Sequence, residues 1–104
     1  MSKVIVLYPQ PTDVAQFEKD YAQHLRLFDE KMGIKSTEKP YEITKLVTTP
    51  MGTPPFYQLV IISFPSPEVL QTAMASPQVQ ELMADAVRIS SGGAPVFMVG
   101  MPPQ

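Results

Sequence analysis

The sequence has no cysteine and no tryptophan, and His24 is the single histidine among its 104 residues. The lack of cysteine excludes disulfides, thiolate nucleophiles and cysteine-ligated metal or iron–sulfur centres. One histidine also disfavours a zinc site built from protein ligands alone. We therefore predict no metal and no cofactor, although axial haem ligation stays open with His24 as its one ligand.

Strong charge and long apolar runs are also lacking. The formal net charge is −2, and lysine and arginine are scattered, so nothing indicates a nucleic-acid partner. No stretch approaches the roughly 20 apolar residues that cross a bilayer, so we predict no membrane partner. The first apolar run ends at Tyr8 and Pro9 without a signal-peptide cleavage site. We expect a soluble, cytoplasmic protein.

The sequence also lacks a nucleophile elbow, paired catalytic carboxylates and a glycine-rich nucleotide loop. Gly92 and Gly93 are adjacent, but no strand-to-helix context surrounds them, so they do not indicate a phosphate site. What is present is a hydrophobic fraction of 44%, which is typical of a folded globular chain. The length predicts one domain, residues 1–104.

The apolar pattern predicts seven elements in the order βαββαβ, with the second helix broken in two. Strands are predicted over residues 3–8, 41–49, 56–64 and 94–101, helices over 13–32, 67–74 and 77–89, and a turn over 36–40. The helix starts carry local signals: Asp13 is a cap, and Ser66 and Ser76 each precede proline. Gly33 is placed to end the first helix.

This order predicts an α+β, ferredoxin-like fold: a four-stranded antiparallel sheet with the helices on one face. The first and third strands are apolar on both sides, so the second sheet face also needs cover. We expect that face to carry Tyr8, Phe56 or Tyr57, Phe64, and Val96 or Phe97. Such an apolar surface predicts a homodimer with the sheets packed back to back, as a dimeric α+β barrel.

Several segments together resemble the EthD family of the dimeric α+β barrel superfamily. They are Val6-Leu7-Tyr8-Pro9, then Phe17 followed by Tyr21-Ala22-Gln23-His24-Leu25-Arg26-Leu27, then Ala73-Met74-Ala75-Ser76-Pro77-Gln78, Asp85 and Gly92-Gly93. The family pattern has proline in His-x-Pro-Leu, where this chain has Arg26. We therefore expect the first helix to continue through Arg26 and His24 to point differently.

The resemblance implies a ferredoxin-like homodimer with a cavity between the sheet and the first helix. Family members resemble accessories to ether degradation alongside a haem monooxygenase system. The superfamily also holds cofactor-independent monooxygenases, polyketide cyclases, haem-degrading enzymes and muconolactone isomerase-like enzymes. Fold does not select among these activities.

His24 is the one side chain whose ordinary pKa lets it serve as acid and base near neutrality. The alternative is a polar residue at the helix margin, bonded to a carbonyl or water. Asp85 is placed to orient His24, or to pair with Arg88 on its own helix. The predicted substrate contacts are Tyr21, Tyr41, Tyr57, Phe17, Phe28 and Phe64, whose alternative role is core packing.

Two functions stay open on these residues. The first is a cofactor-independent enzyme, of oxygenase, cyclase or isomerase type, acting on a small apolar or aromatic oxygenated molecule. The second is a non-catalytic protein that binds a small apolar ligand, such as an accessory of a degradation pathway. A purely structural dimer is a third alternative.

Overall fold

A computed structural model of the chain describes residues 2–33 and 40–103. Along the chain its elements are β1 (Ser2–Pro9), α1 (Val14–Met32), β2 (Tyr41–Lys45), β3 (Phe56–Phe64), α2 (Pro67–Met74), α3 (Pro77–Ile89) and β4 (Val96–Gly100). The strand order is β2-β3-β1-β4, and each neighbouring pair is antiparallel. The predicted α+β, ferredoxin-like fold is confirmed. Of the turn predicted over residues 36–40, all but Pro40 lies outside the described residues.

The helix ends follow their local signals. The Asp13 side chain accepts a hydrogen bond from the Gln16 amide, and Gly33 ends α1 with a φ of 66°. Ser66 and Ser76 cap α2 and α3 in the same way, each with proline next. α1 continues through Arg26, which is exposed, as the loss of the family proline predicts.

Two strands are shorter than predicted, and proline is the reason in both. β2 ends at Lys45 instead of residue 49, and the last bond of the pair runs from the Leu46 amide to the Tyr57 carbonyl. Beyond it the opposing chain offers Pro54 and Pro55, which have no amide hydrogen to donate to a ladder. β4 begins at Val96, because Pro95 cannot donate either.

The assignment of aromatic residues to the second sheet face was wrong for Tyr8 and Phe64. Both are buried under the helices, in one core with Phe17 and Tyr21 of α1. Phe97 pairs with buried Val6 and shares its face. Tyr57 also lies on the helix side, with its ring centroid 5.6 Å from that of Phe17.

The open sheet face is instead aliphatic. Register places two rows across three strands, one of Leu59, Leu7 and Val96 and the other of Ile61, Ile5 and Met98. Val96 and Met98 are 38% and 41% exposed, and the other four are partly exposed. We call these six residues the open-face patch. The expectation of a second apolar face holds. Of the residues predicted for it Val96 is present, and aliphatic side chains and Met98 take the place of the predicted aromatic residues.

Gly92 is explained by a close approach of the backbone. A Cβ at this position would lie 1.8 Å from the Gln10 carbonyl oxygen, a distance that no side chain can adopt. The turn is held there by a hydrogen bond from the Thr12 amide to the Ser91 hydroxyl. Gly92 therefore closes the loop against the end of β1.

Candidate functional site

A cavity of about 70 Å³ lies between the helical layer and the sheet. Side chains from all seven elements line it, and most of them are aliphatic, aromatic or methionine. One buried water needs only about 10–15 Å³, so the space accepts several heavy atoms. Met32, Met74 and Met83 are part of the wall, and methionine changes shape easily around a ligand.

His24 of α1 lies on this wall and pairs with Asp85 of α3, which is not among the lining residues. His24 is only 8% exposed, and its Nδ1 lies 2.7 Å from Asp85 Oδ2. The other carboxylate oxygen, Oδ1, accepts a hydrogen bond of 2.9 Å from Arg88 Nε. The structure therefore brings together His24 and Asp85, which are 61 residues apart, and Asp85 makes the alternative contact with Arg88 as well.

The charge state of Asp85 decides which ring nitrogen of His24 is free. Partial burial opposes ionisation of Asp85, but hydrogen bonds from His24 and Arg88 outweigh it and hold the Asp85 pKa below its usual value. An ionised carboxylate only accepts, so Nδ1 must carry a hydrogen. In the neutral imidazole Nε2 then keeps a lone pair, and it has no hydrogen-bond partner among the described residues.

The lowered Asp85 pKa predicts a specific loss of stability in acid. A carboxyl group whose pKa is depressed by folding stabilises the native state above its unfolded pKa, and that contribution disappears as pH falls through the folded pKa. We expect the melting-temperature difference between wild type and Asp85→Asn to be fully present at about pH 5–6, above the unfolded pKa, and to shrink steadily toward about pH 2. Thermal unfolding across this range measures it. A difference independent of pH contradicts the ion-paired state of Asp85.

Two phenol hydroxyls face the same cavity without a partner among residues 2–33 and 40–103. Tyr8 and Tyr21 line it, are 2% and 5% exposed, and make no hydrogen bond through their hydroxyls within these ranges. Among the described residues only Gln58 Nε2 is both unbonded and fully sealed, so the two hydroxyls reach a water-sized space. Burial is the main cause that raises the pKa of both phenols, which remain neutral donors around neutral pH.

The predicted substrate contacts divide into two groups. Tyr21, Tyr41, Phe28 and Phe64 line the cavity together with His24, whereas Phe17 and Tyr57 do not. Phe17 packs between other rings, and the Tyr57 hydroxyl donates a 2.6 Å hydrogen bond to Glu18 Oε1. Binding roles for all six stay predictions.

Sequence reasoning assigned Tyr8 to the wrong sheet face and missed the cluster around Lys45. The Lys45 ammonium lies 4.9 Å from the Tyr57 ring centroid and contacts Glu18 and the fully buried Gln58. Lys45 shares a sheet face with Ile43 and Tyr41, so strand alternation places it under α1. The sequence signal that indicates this cluster is a lysine at a strand position that alternation assigns to the buried face.

Within the described residues, no group of three or more histidine, aspartate or glutamate side chains could hold a metal ion. No helix described here is both long and apolar enough to cross a bilayer.

A ferredoxin-like α+β domain with a buried apolar cavity is the class that this fold and site define. The model of the EthD domain matches residues 9–93, and the chain belongs to the EthD family.

Solved structures share the fold. An EthD family protein from Bacillus halodurans C-125 has 29% sequence identity and a TM-score of 0.81, over 99% of each chain. An EthD-like protein from Ralstonia eutropha JMP134 has 21% identity and a TM-score of 0.66, over 95% of this chain and 88% of its own. A dimeric ferredoxin-like protein of unknown function from Jannaschia sp. CCS1 has 8% identity and a TM-score of 0.69, over 98% and 100%. No curated protein matches.

Proposed function

We propose that this EthD-family protein binds a small, mostly apolar molecule in the cavity and transfers a proton to or from it through His24. The observation that carries the proposal is a nearly buried imidazole on an apolar wall, held by an ionised carboxylate. Such an arrangement serves a base better than a structural histidine, because one ring nitrogen is fixed and the other is left without a partner among the described residues.

The residues divide the work in this proposal. Asp85 fixes the tautomer and orientation of His24, and Arg88 in turn holds Asp85. Nε2 of His24 takes a proton from the bound molecule and returns it. A bound molecule that fills the apolar cavity displaces water from it, which strengthens the electrostatic interactions within the site.

The proposal includes a homodimer formed through the open-face patch. A monomer rarely exposes a contiguous apolar surface of this kind, and three sheet strands contribute to it. The Jannaschia protein is described as dimeric, which supports the same assembly for this chain. Cytoplasmic location stays a prediction.

A non-catalytic ligand-binding role is the second proposal. It is favoured by the scarcity of polar groups: the described wall is apolar apart from His24 and tyrosine hydroxyls. In that role His24 holds a polar end of the ligand and no bond changes.

Hydrogen–deuterium exchange separates the two functions. Small carbon acids, such as nitroethane and cyclopentanone, are incubated with the protein in D₂O, and deuterium uptake at carbon is followed by NMR. We expect wild type to accelerate uptake for at least one of them, and His24→Gln to lose about 10²–10⁴-fold of that acceleration. The glutamine keeps a polar group of similar size.

The outcomes are distinct. Equal exchange rates in wild type and His24→Gln contradict the proton-transfer proposal. Since His24 is the sole histidine, its ring NMR signals need no assignment and report binding directly. Shifts of these signals on titration, without catalysed exchange, leave the ligand-binding role in place.

A further inference from the structure

We propose that the Tyr8 and Tyr21 hydroxyls form a two-donor site for one ligand oxygen, and that the ligand is a small carbonyl compound. This inference rests on the proposed function and deepens it by naming the substrate class. Neither tyrosine is required for the His24–Asp85 pair, so the two can be tested separately.

The first support is that two hydroxyls without a protein partner among the described residues lie on one small wall. The Tyr8 and Tyr21 hydroxyls open onto a water-sized space, and polar groups inside a protein nearly always find a partner in protein, water or a ligand. Their rings are 5.6 Å apart between centroids, so one guest molecule can contact both side chains. In the proposed site, one guest oxygen accepts a hydrogen bond from each of the two hydroxyls.

The second support is the continuity of the polar wall. The Tyr21 ring lies 5.6 Å from the His24 ring, and His24 is bonded to Asp85. Tyr8, Tyr21 and His24 therefore follow one another as neighbouring rings on the wall of an otherwise apolar space, with Asp85 bonded to the last of them. A ligand oxygen at the tyrosine end places its neighbouring carbon toward the imidazole.

The third support is that both phenol hydroxyls are hydrogen-bond donors. Both phenols stay protonated, because burial raises each pKa and neighbouring groups, Asp85 for Tyr8, add to it. Neutral phenols donate, so the matching ligand atom is an acceptor such as a carbonyl oxygen. The surrounding wall is apolar, which disfavours a ligand that is charged in its resting form.

The reaction that fits is proton removal next to a carbonyl. Nε2 of His24 takes the proton from the adjacent carbon, the C–H electron pair forms a C=C bond, and the carbonyl π pair moves to oxygen. The resulting enolate oxygen accepts hydrogen bonds from Tyr8 and Tyr21, which strengthen as negative charge develops. Return of the proton to carbon restores neutral His24. Nothing is oxidised or reduced.

A matched pair of probes tests the inference by binding alone. Cyclopentanone has a carbonyl oxygen where methylenecyclopentane has a CH₂ group, and the two share size and shape. Dissociation constants come from titrations followed on the His24 ring signals and on methyl signals of the cavity wall. We expect the ketone to bind wild type about tenfold more tightly than the hydrocarbon.

Tyr8→Phe and Tyr21→Phe keep the rings and remove only the hydroxyls. Each is expected to weaken ketone binding about three- to tenfold and to leave hydrocarbon binding unchanged or slightly tighter. Thr48→Val is the matched control, because it removes an exposed hydroxyl that is paired with Thr53 and does not line the cavity. It should leave both constants unchanged.

Each outcome decides a different claim. A ketone-to-hydrocarbon ratio that is the same in wild type and both variants overturns the two-donor site, with the hydroxyls then holding water only. The proposed function survives that result, because binding in the cavity is still seen. Failure of both probes to bind overturns the proposed function and the inference together.

Discussion

Ile5→Glu is expected to convert the proposed dimer to a monomer. Ile5 lies at the centre of the open-face patch, between Ile61 and Met98 in the register. In a two-fold dimer both copies bury the new carboxylate, and an unpaired buried charge costs about 3–5 kcal/mol. The dimer dissociation constant should therefore rise about a thousandfold or more. Sedimentation equilibrium at micromolar protein measures the change.

Met98→Glu is a second variant of the open-face patch, and it tests the same interface if Ile5→Glu fails to fold. Met98 lies on the edge strand β4 and is 41% exposed, so its glutamate is solvated in a monomer and leaves the core intact. Val87→Glu is the control on the helical side, where Val87 is 51% exposed. We expect Met98→Glu to be monomeric and Val87→Glu to remain dimeric. Folded dimers of both Ile5→Glu and Met98→Glu place the dimer interface elsewhere.

The helices could be predicted closely because their signals are local. α2 and α3 have the predicted bounds, since a serine cap followed by proline fixes the start of each helix from two residues. α1 begins one residue after its predicted start, because Asp13 caps the helix from outside. Capping involves neighbouring residues only, so no knowledge of the tertiary structure is needed.

The sheet faces were harder to predict, because the central strands are apolar on both sides. Alternation groups Tyr8 with Val4 and Val6 but does not say which group faces the helices. Two charged residues, Lys3 and Glu42, identify the open face. Both are exposed at the margin of the sheet, on the face that they share with Ile5 and Ile61. Weighing them would have placed Tyr8 in the core.

The sequence suggests that His24 pairs with Asp85, but the sequence alone does not establish this contact. The pairing depends on α1 packing beside α3, which brings together residues 61 positions apart. Tyr8 could be assigned to the cavity wall only once the structure showed which face of β1 packs against the helices. The Lys45 cluster depends on Tyr57, whose position follows a register shift between Tyr8 and Pro9. A register shift of this kind has no reliable sequence signal, so the packing around Lys45 and Tyr57 could not be predicted from the sequence.

Phe17→Ala is expected to destabilise the protein by about 3–5 kcal/mol, the usual cost of emptying a fully packed aromatic site. Phe17 is 1% exposed, and its ring lies 5.3 Å from Tyr8 and 5.8 Å from Tyr21 between centroids. Urea unfolding at one fixed protein concentration measures the loss. Val14→Ala, at a 46% exposed position of the same helix, should change stability by less than about 0.5 kcal/mol.

Substitutions at Phe17 also distinguish a packing role of this side chain from a role in contacting the ligand. Phe17 does not line the cavity, so Phe17→Leu, which keeps most of the volume, should leave cyclopentanone affinity within about twofold while lowering stability modestly. A large loss of affinity in a stable Phe17→Leu protein would instead support the predicted substrate contact. A loss of less than about 1 kcal/mol in Phe17→Ala would contradict the packing role.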